Sequence, residues 1–206
     1  MRRFVVICPE ATASDDFLLD DLPGTSGRLD VGLRCMRAAL LFSHGIRRDV
    51  VVYVVLGGGP RAPRVVRVSG AAARFVRPDE RSLALLAKKV LASRVDTAAG
   101  GFVDVRPGVA LASGGLEQVI ADLGGATAYV LEESAPDIRD VADLESRDVA
   151  FFLGDHLGFD DATRAHLGAM GVSAVGVGPV SVHAEDAVAI VSNELDRRDA
   201  RRHTPR

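Results

Sequence analysis

The sequence predicts an α/β domain in which a mainly parallel sheet is flanked by helices. Short apolar runs, such as the β-branched run at 50–56 and the run at 149–153, alternate with stretches whose apolar residues recur at helical spacing. This alternation is typical of parallel strands with helices between them. The chain has 206 residues, of which 48% are hydrophobic and 26% charged, so it can bury a sizeable core.

The first elements are predicted from apolar runs and the residues that interrupt them. Residues 4–8 form a strand that Pro9 is expected to end. A polar segment follows, and a helix is predicted from about Arg28 because apolar residues then recur at helical spacing, at Leu29, Leu33, Met36 and Leu40. Residues 50–56 are predicted to be a buried strand, which the Gly-rich run at 57–60 ends.

The middle of the chain carries weaker signals. Two short strands are predicted at 64–68 and 73–76, joined by a turn at Ser69 and Gly70. A helix is predicted from 78–82, because proline and acidic residues are favoured in the first turn of a helix.

The second half alternates more regularly between helices and strands. The predicted elements are a helix at 116–123, strands at 126–131 and 149–153, a helix at 160–170, a strand at 172–177 and a closing helix at 184–196. The chain is predicted to form one domain over residues 1–198. Residues 199–206 have little apolar surface to bury and are expected to be a disordered tail.

Charge is distributed unevenly between the two halves. Residues 1–110 hold 17 arginines and lysines against 11 acidic residues, whereas residues 111–206 hold 8 against 17. Arginine supplies 23 of the 25 basic residues, and its planar guanidinium suits phosphate. The asymmetry indicates either ordinary surface variation or a first half that faces a polyanion.

Several classes of protein are disfavoured. Cys8 and Cys35 are too few for a disulfide framework and are not spaced as CxxC. His44, His166 and His183 lie far apart in the sequence, so we expect no metal site. Charged residues interrupt every apolar run, and the apolar start is too short for a signal peptide. We therefore expect a soluble, cytoplasmic protein without membrane contact.

Three loops that follow predicted strands, at 131–133, 153–156 and 177–182, suggest a small-molecule site. Ligands of open α/β sheets lie beyond the carboxyl ends of the strands, although each loop is also a plausible turn. The GxGxxG and GxxxxGK[ST] motifs are absent, so the phosphates of a nucleotide are not the expected ligand. Asp155 and His156 are candidate proton acceptors; alternatively, Asp155 caps the following turn.

A polar cluster in the first half surrounds the helix predicted from Arg28. Asp30 and Arg34 are spaced to pair on one helix face, whereas Arg28 is expected to be poorly placed to pair with Asp30. Arg47 and Arg48 follow that helix. These residues form either a solvated lattice of salt bridges or an anion-binding face with an acid inside it.

Four motifs resemble those of the archaeal tRNA pseudouridine-54 N1-methyltransferases. They are Leu-Pro-Gly-Thr-Ser-Gly-Arg-Leu-Asp at 22–30, Ser-His-Gly-Ile-Arg-Arg-Asp-Val at 43–50, Pro-Asp-Glu-Arg at 78–81 and Asn-Glu-Leu-Asp-Arg at 193–197. The first two are long and specific, and the similarity runs from Phe4 to about Arg198. That family belongs to the SPOUT class of S-adenosylmethionine-dependent RNA methyltransferases.

The resemblance implies a C-terminal trefoil knot, a homodimer with the active site at the subunit interface, and S-adenosylmethionine as the methyl donor. It divides the domain into an RNA-facing half, 1–110, and a cofactor-binding knot half, 111–198. The residues that it places around the donor are Leu131, Gly154, Val177, Gly178, Pro179, Val180, Ser181 and Val182. Ala187 is also predicted to belong to the donor site; it stands where the family often has cysteine, which leaves it only a packing role there.

The resemblance also implies a reaction, methylation of N1 of pseudouridine 54 in the T-arm of tRNA. Asp30 is the first candidate for the base that removes the N1 proton, and Asp155 is the second. The residues expected to hold tRNA phosphates are Arg28, Arg34, Arg47 and Arg48. Two other functions remain open, a non-catalytic RNA-binding protein on the same scaffold and a small-molecule enzyme without an RNA partner.

Overall fold

A computed structural model describes residues 1–94, 100–145 and 148–203. In chain order the elements are β1 (Arg2–Thr12), α1 (Leu22–Thr25), α2 (Leu29–Leu40), β2 (Leu41–Phe42), β3 (Gly45–Ile46), β4 (Val50–Gly58), β5 (Arg64–Ser69), α3 (Glu80–Leu91), β6 (Val103–Arg106), β7 (Val109–Ser113), α4 (Leu116–Leu123), β8 (Thr127–Leu131), β9 (Val149–Gly154), α5 (Asp161–Ala169), β10 (Ser173–Val175) and α6 (Ala184–His203). Two short 3-10 turns, Ile138–Asp140 and Ala142–Glu145, lie between β8 and β9.

The main sheet has the strand order β10-β8-β9-β1-β4-β5-β7-β6. The five strands β10, β8, β9, β1 and β4 are mutually parallel, and β5, β7 and β6 extend the sheet in antiparallel fashion. The predicted α/β class with a mainly parallel sheet flanked by helices is confirmed. Within its parallel part, the apolar runs of β4 and β9 are buried on both faces.

Alternate residues of β1 face two different layers of helices. Phe4, Val6 and Cys8 pack in the core cluster that contains the buried residues of α2, α3 and α6. Val5 and Ile7 pack on the opposite face, in the cluster that contains apolar residues of α4 and α5. The chain therefore folds as a three-layer structure around the sheet.

Helices whose termini carry clear sequence signals are confirmed. The helix at 116–123 has the predicted bounds, and α2 begins at Leu29, immediately after Arg28. Asp79 and Asp160 act as N-caps of α3 and α5, where their carboxylates accept hydrogen bonds from the backbone N–H groups of Ser82 and Thr163.

Two strand predictions are wrong. Pro9 does not end β1, because the register with β4 shifts between Cys8 and Thr12, and proline is tolerated at such an irregularity. Residues 73–76 do not form a strand; β5 pairs instead with β4 and with β7, which the sequence analysis did not predict. The backbone N–H of Ala73 turns back and donates to the carbonyl of Ser69 at 2.8 Å.

The closing helix is longer than predicted. It continues from Asp196 to His203, into the segment expected to be a disordered tail, and residues 204–206 lie outside the described residues. The guanidinium of Arg198 donates to the backbone carbonyls of Ile138 at 2.9 Å and Val141 at 2.8 Å. These contacts fix the last turns of α6 against the connection between β8 and β9.

Membrane-spanning segments were also sought. No helix within residues 1–94, 100–145 and 148–203 has both the length and the apolar character needed to cross a membrane.

A row of aromatic rings lies across the centre of the sheet. The ring of Phe151 on β9 stacks on Phe4 of β1 at 5.8 Å between centroids and on Tyr129 of β8 at 5.7 Å. Phe4 and Phe151 are fully buried. This row joins three parallel strands through side chains as well as through backbone hydrogen bonds.

We predict that Phe151→Ala lowers the free energy of unfolding by about 3–5 kcal/mol, because it opens a cavity between two rings. Urea denaturation followed by circular dichroism measures this loss. Phe75→Ala, at a phenylalanine that is 85% exposed, is the matched control and should change stability by less than about 0.5 kcal/mol. Equal losses in the two variants would contradict this account of the core.

Candidate functional site

A cavity of about 390 Å³ lies where strands β8, β9 and β10 end. Parallel strands end at one edge of a sheet, so the three loops that follow them meet there. The predicted donor-binding residues that line this cavity are Leu131, Gly154, Val177, Gly178, Val180, Ser181, Val182 and Ala187. Pro179 belongs to the same described loop but is not part of the lining.

Several lining residues lie outside the donor set that the resemblance implies, although Glu132 and Glu133 belong to the loop at 131–133 that was predicted to form a small-molecule site. Glu132, Glu133 and Ser134 follow β8, and Phe159 and Arg164 stand at the start of α5. The two glutamates directly follow a predicted strand, so their position in the sequence is the signal that was available. Phe159 and Arg164 reach the cavity only through the packing of α5.

Direct contacts join two of the three loops around the cavity. The hydroxyl of Ser181 donates to the carboxylate of Glu133, which ties the loop after β10 to the loop after β8. The backbone N–H of Glu132 donates to the carbonyl of Val175 at 3.0 Å. The cavity is therefore closed on one side by side chains from two loops.

Gly154 has a local role in this arrangement. A Cβ atom at Gly154 would lie 2.5 Å from the carbonyl carbon of Gly158, far inside normal contact distance. Glycine is therefore required so that the backbone at 154 and 158 can approach closely and form the turn that carries Asp155.

The carboxylate of Asp155 forms no ion pair with an arginine or lysine among the described residues, and its Oδ1 lies 3.7 Å from Nδ1 of His156. Its side chain is fully buried, and its Oδ1 accepts a hydrogen bond from the backbone N–H of Leu157 at 2.9 Å. Among the described residues its Oδ2 has no hydrogen-bond partner. Burial raises the pKa of this carboxyl group above its usual value. Asp155 thus caps its turn, and the residue borders the cavity while its unpaired oxygen is buried.

The carboxylate of Asp30, in contrast, is paired with two arginines. Its buried carboxylate accepts two hydrogen bonds from Arg28, at 3.0 and 3.2 Å, and one from Arg34 at 2.5 Å. Burial acts to raise the pKa of Asp30, but the hydrogen bonds and charges of the two arginines more than offset it, so the pKa is lowered. Asp30 does not line the cavity.

The expectation that Arg28 is poorly placed to pair with Asp30 is wrong. The rule on spacing applies to residues inside one helix, whereas Arg28 precedes α2 and has a left-handed backbone with φ of 65°. Outside the helix its side chain is free to turn back toward Asp30.

Arg34 connects α2 to α6. Its Nε donates to the carboxylate of Glu185 at 2.6 Å, while its Nη1 contacts Asp30. Burial acts to raise the pKa of Glu185, but a hydrogen bond to its own backbone N–H and the contact with Arg34 lower it. Glu185 lies in the first turn of α6, next to the lining residue Ala184. The ion pairs therefore fix the helix that forms one wall of the cavity.

Arg47 and Arg48 lie at the other end of α2, about 18 Å away along its twelve residues. Arg47 donates to both carboxylate oxygens of Asp196, at 2.8 and 2.7 Å, and Arg48 donates to the carbonyl of Gly70 at 2.9 Å. The structure thus divides the predicted cluster in two and gives all four arginines intramolecular partners. Their role in holding phosphates stays a prediction.

The described part of the chain offers few metal-ligating side chains close together. No group of three or more histidine, cysteine, aspartate or glutamate side chains is arranged there to hold a metal ion.

Comparison with known proteins identifies the family. The family described as "Putative SAM-dependent RNA methyltransferase" matches residues 1–200. The chain belongs to this family. It is 40% identical over 204 residues to the tRNA (pseudouridine(54)-N(1))-methyltransferase of Methanosarcina acetivorans, covering 98% of this chain and 94% of the relative. It is 38% identical over 196 residues to the enzyme of the same name from Halobacterium salinarum, covering 95% and 96%.

A solved structure has the same fold. Archaeoglobus fulgidus Nep1 bound to S-adenosylhomocysteine matches with a TM-score of 0.67 at 18% identity, covering 97% of this chain and 99% of that one. The likeness confirms the SPOUT-like fold class expected of this methyltransferase. The C-terminal trefoil knot and the division into two functional halves stay predictions.

Proposed function

We propose that the protein transfers a methyl group from S-adenosylmethionine to N1 of pseudouridine 54 in the T-loop of tRNA. The observation that carries this proposal is the 40% identity, over 98% of the chain, to a relative of that named activity. The cytoplasm is the location that a tRNA substrate implies.

The cavity at the strand ends fits the methyl donor. Its lining combines apolar side chains with three carboxylates, those of Glu132, Glu133 and Asp155, against one guanidinium, that of Arg164. An excess of negative charge suits a cationic ligand, and the unpaired Oδ2 of Asp155 requires a hydrogen-bond donor. S-adenosylmethionine supplies, when bound, a methyl group on a positively charged sulfur.

The reaction requires one proton to be removed. The pseudouridine N1 forms a bond to the methyl carbon while the bond from that carbon to sulfur breaks, and the N1 proton passes to a base. Methyl transfer of this kind needs positioning and a proton acceptor. Uridine has no N1–H, because its N1 bears the sugar, so the same site has no proton to remove from it.

We assign the base to Asp155 ahead of Asp30, which reverses the order proposed from the sequence. Asp155 borders the cavity, has a raised pKa and carries a buried oxygen without a hydrogen-bond partner, features that are typical of a catalytic acid or base. Asp30 has a lowered pKa and is engaged by two arginines. Asp30 is therefore a positioning residue that holds Arg28 and Arg34.

The enzyme is proposed to act as a homodimer whose second subunit completes the site. Exposed apolar side chains cluster on the loops around the cavity. Val180 is 71% exposed, Leu157 51% and Val182 40%. Apolar surface grouped beside a ligand site indicates a contact with another chain.

Sedimentation velocity tests the dimer. We predict the mass of two chains at micromolar concentration, and a shift toward one chain in Val180→Asp, because a buried charge opposes association. A single-chain mass for the native protein would contradict the proposal.

Methyl transfer from labelled S-adenosylmethionine to two T-arm RNAs tests the activity. The RNAs are identical except that one has pseudouridine and the other uridine at the target position. We predict label only in the pseudouridine RNA, because only that base offers an N1–H.

Three other results would count against the proposal. Label in both RNAs would show that the methylated atom is not N1 of pseudouridine. Donor binding without label in either would point to another RNA. RNA binding without donor binding would favour the non-catalytic alternative.

We predict that Asp155→Asn lowers the methylation rate at least a hundredfold, because asparagine cannot accept the proton. Its stability should not fall. Burial raises the pKa of Asp155 in the folded state, so ionising this carboxyl group costs more in the folded chain than in the unfolded one. The free energy of unfolding therefore falls as the pH rises from about 4 through the folded-state pKa. At pH 7 the variant should therefore unfold at the same temperature as the native chain, or higher.

Asp160→Asn is the matched control, because asparagine also caps helices and the methylation rate should be unchanged. Native activity in Asp155→Asn would remove Asp155 as the base. A large loss of stability in that variant would show that the carboxylate has a structural role.

A further inference from the structure

An exposed segment at 74–77 stands outside the site described above. Phe75 is 85% exposed, and Arg74 and Arg77 beside it are also exposed. The backbone of Phe75 is left-handed, with φ of 60°, which is rare for a bulky residue. The chain therefore maintains an unfavourable backbone at a side chain that adds nothing to the core, and such outliers concentrate at functional sites.

The residues on either side of Phe75 are anchored. The guanidinium of Arg48 donates to the backbone carbonyls of Gly70 at 2.9 Å and Ala73 at 3.4 Å, and Ala73 is fully buried. Val76 packs against the main core cluster. Because both neighbours are fixed, the ring of Phe75 projects into solvent as a consequence of the fold.

The guanidiniums of the segment are available to a partner. Within the described part of the chain, neither Arg74 nor Arg77 makes a hydrogen bond or an ion pair, in contrast to Arg28, Arg34, Arg47 and Arg48, and Arg77 interacts with Asp79 only through its charge. A flat aromatic ring between two unpaired guanidiniums matches nucleic acid, since bases stack on such rings and phosphates bind arginine. The basic excess of residues 1–110 is of the right sign for a polyanion.

We propose that segment 74–77 is a second contact surface for tRNA, in which Phe75 stacks on an exposed base and Arg74 and Arg77 bind neighbouring phosphates. This inference rests on the proposed function, because tRNA is the polyanion that it brings to the protein.

The surface lies at the end of the sheet opposite the cavity. The backbone N–H of Gly70 donates to the carbonyl of Val50, which pairs with Arg2 at the start of β1. At the cavity, Gly154 pairs with Ile7, which lies five residues further along β1. These five residues of strand separate the attachment of the segment from the cavity by roughly 17 Å. Within one subunit the base that stacks on Phe75 is therefore not the one held at the cavity, and the contact contributes to binding and not to chemistry.

Binding and turnover of a full-length tRNA carrying pseudouridine 54 test this proposal. Phe75→Ala should raise Kd and KM about tenfold and leave kcat unchanged at saturating tRNA. Phe75→Trp should keep the native Kd, because it retains a stacking ring. Leu18→Ala, at another exposed apolar residue, is the control and should bind as the native chain does.

Two further variants separate the roles within the segment. Phe75→Gly removes the same ring and suits the left-handed backbone, so the same loss of affinity there shows that strain is not its cause. Arg77→Ala should reduce the slope of log Kd against log salt by about one, whereas Phe75→Ala should leave that slope unchanged.

The outcomes distinguish this inference from the proposed function. Native Kd and KM in Phe75→Ala, with methylation intact, would overturn the stacking contact alone. A native dimer that dissociates in Phe75→Ala without a change in tRNA affinity would assign the surface to a second copy of the chain. A native chain that neither binds nor methylates this tRNA would overturn both proposals.

Discussion

The pairing of β1 with parallel strands on both sides is the constraint on which the rest of the structure depends. Six residues of β1 are in register with β9, and β4 runs along its other edge. Parallel strands need connections that return the chain to the same end of the sheet, so the helices must cover its faces. The carboxyl ends of β8, β9 and β10 then meet at one edge, and their loops enclose the cavity.

Charge compensation separates the structural acids from the candidate base. Asp30 and Asp196 each accept hydrogen bonds from two arginines, and both have lowered pKa values although burial acts to raise them. These pairs fix α2 and α6 around the sheet. Asp155 is buried without such a partner, and its pKa is raised. An acid that the fold leaves uncompensated beside a cavity is available for function at a cost in stability.

Local signals made much of the fold predictable. Asp79 and Asp160 mark helix starts because a capping carboxylate is a local feature, and the run at 50–56 marks a buried strand by composition. Residues 73–76 were predicted incorrectly because strand pairing is decided by distant residues, here those of β7. The left-handed backbone of Phe75 has no signature in the sequence, since glycine is the residue that normally marks such a conformation.

The site was predictable in part. The loops that line the cavity follow predicted strands, but their assignment to a methyl donor came from the resemblance to a family. The ion pairs of Arg47 and Asp196, 149 residues apart, depend on how α6 packs and were beyond sequence reasoning. Asp155 is preferred over Asp30 as the base because Arg28 and Arg34 pair with Asp30 and not with Asp155, and the sequence does not show these contacts.

The central claim is that the cavity at the strand ends holds the methyl donor. A crystal structure of the protein with S-adenosylhomocysteine tests it most directly. The account predicts that the ligand lies among the loops that carry Leu131, Gly154 and Ser181, within hydrogen-bond distance of backbone groups there. Ligand bound elsewhere, with this cavity empty, would contradict it.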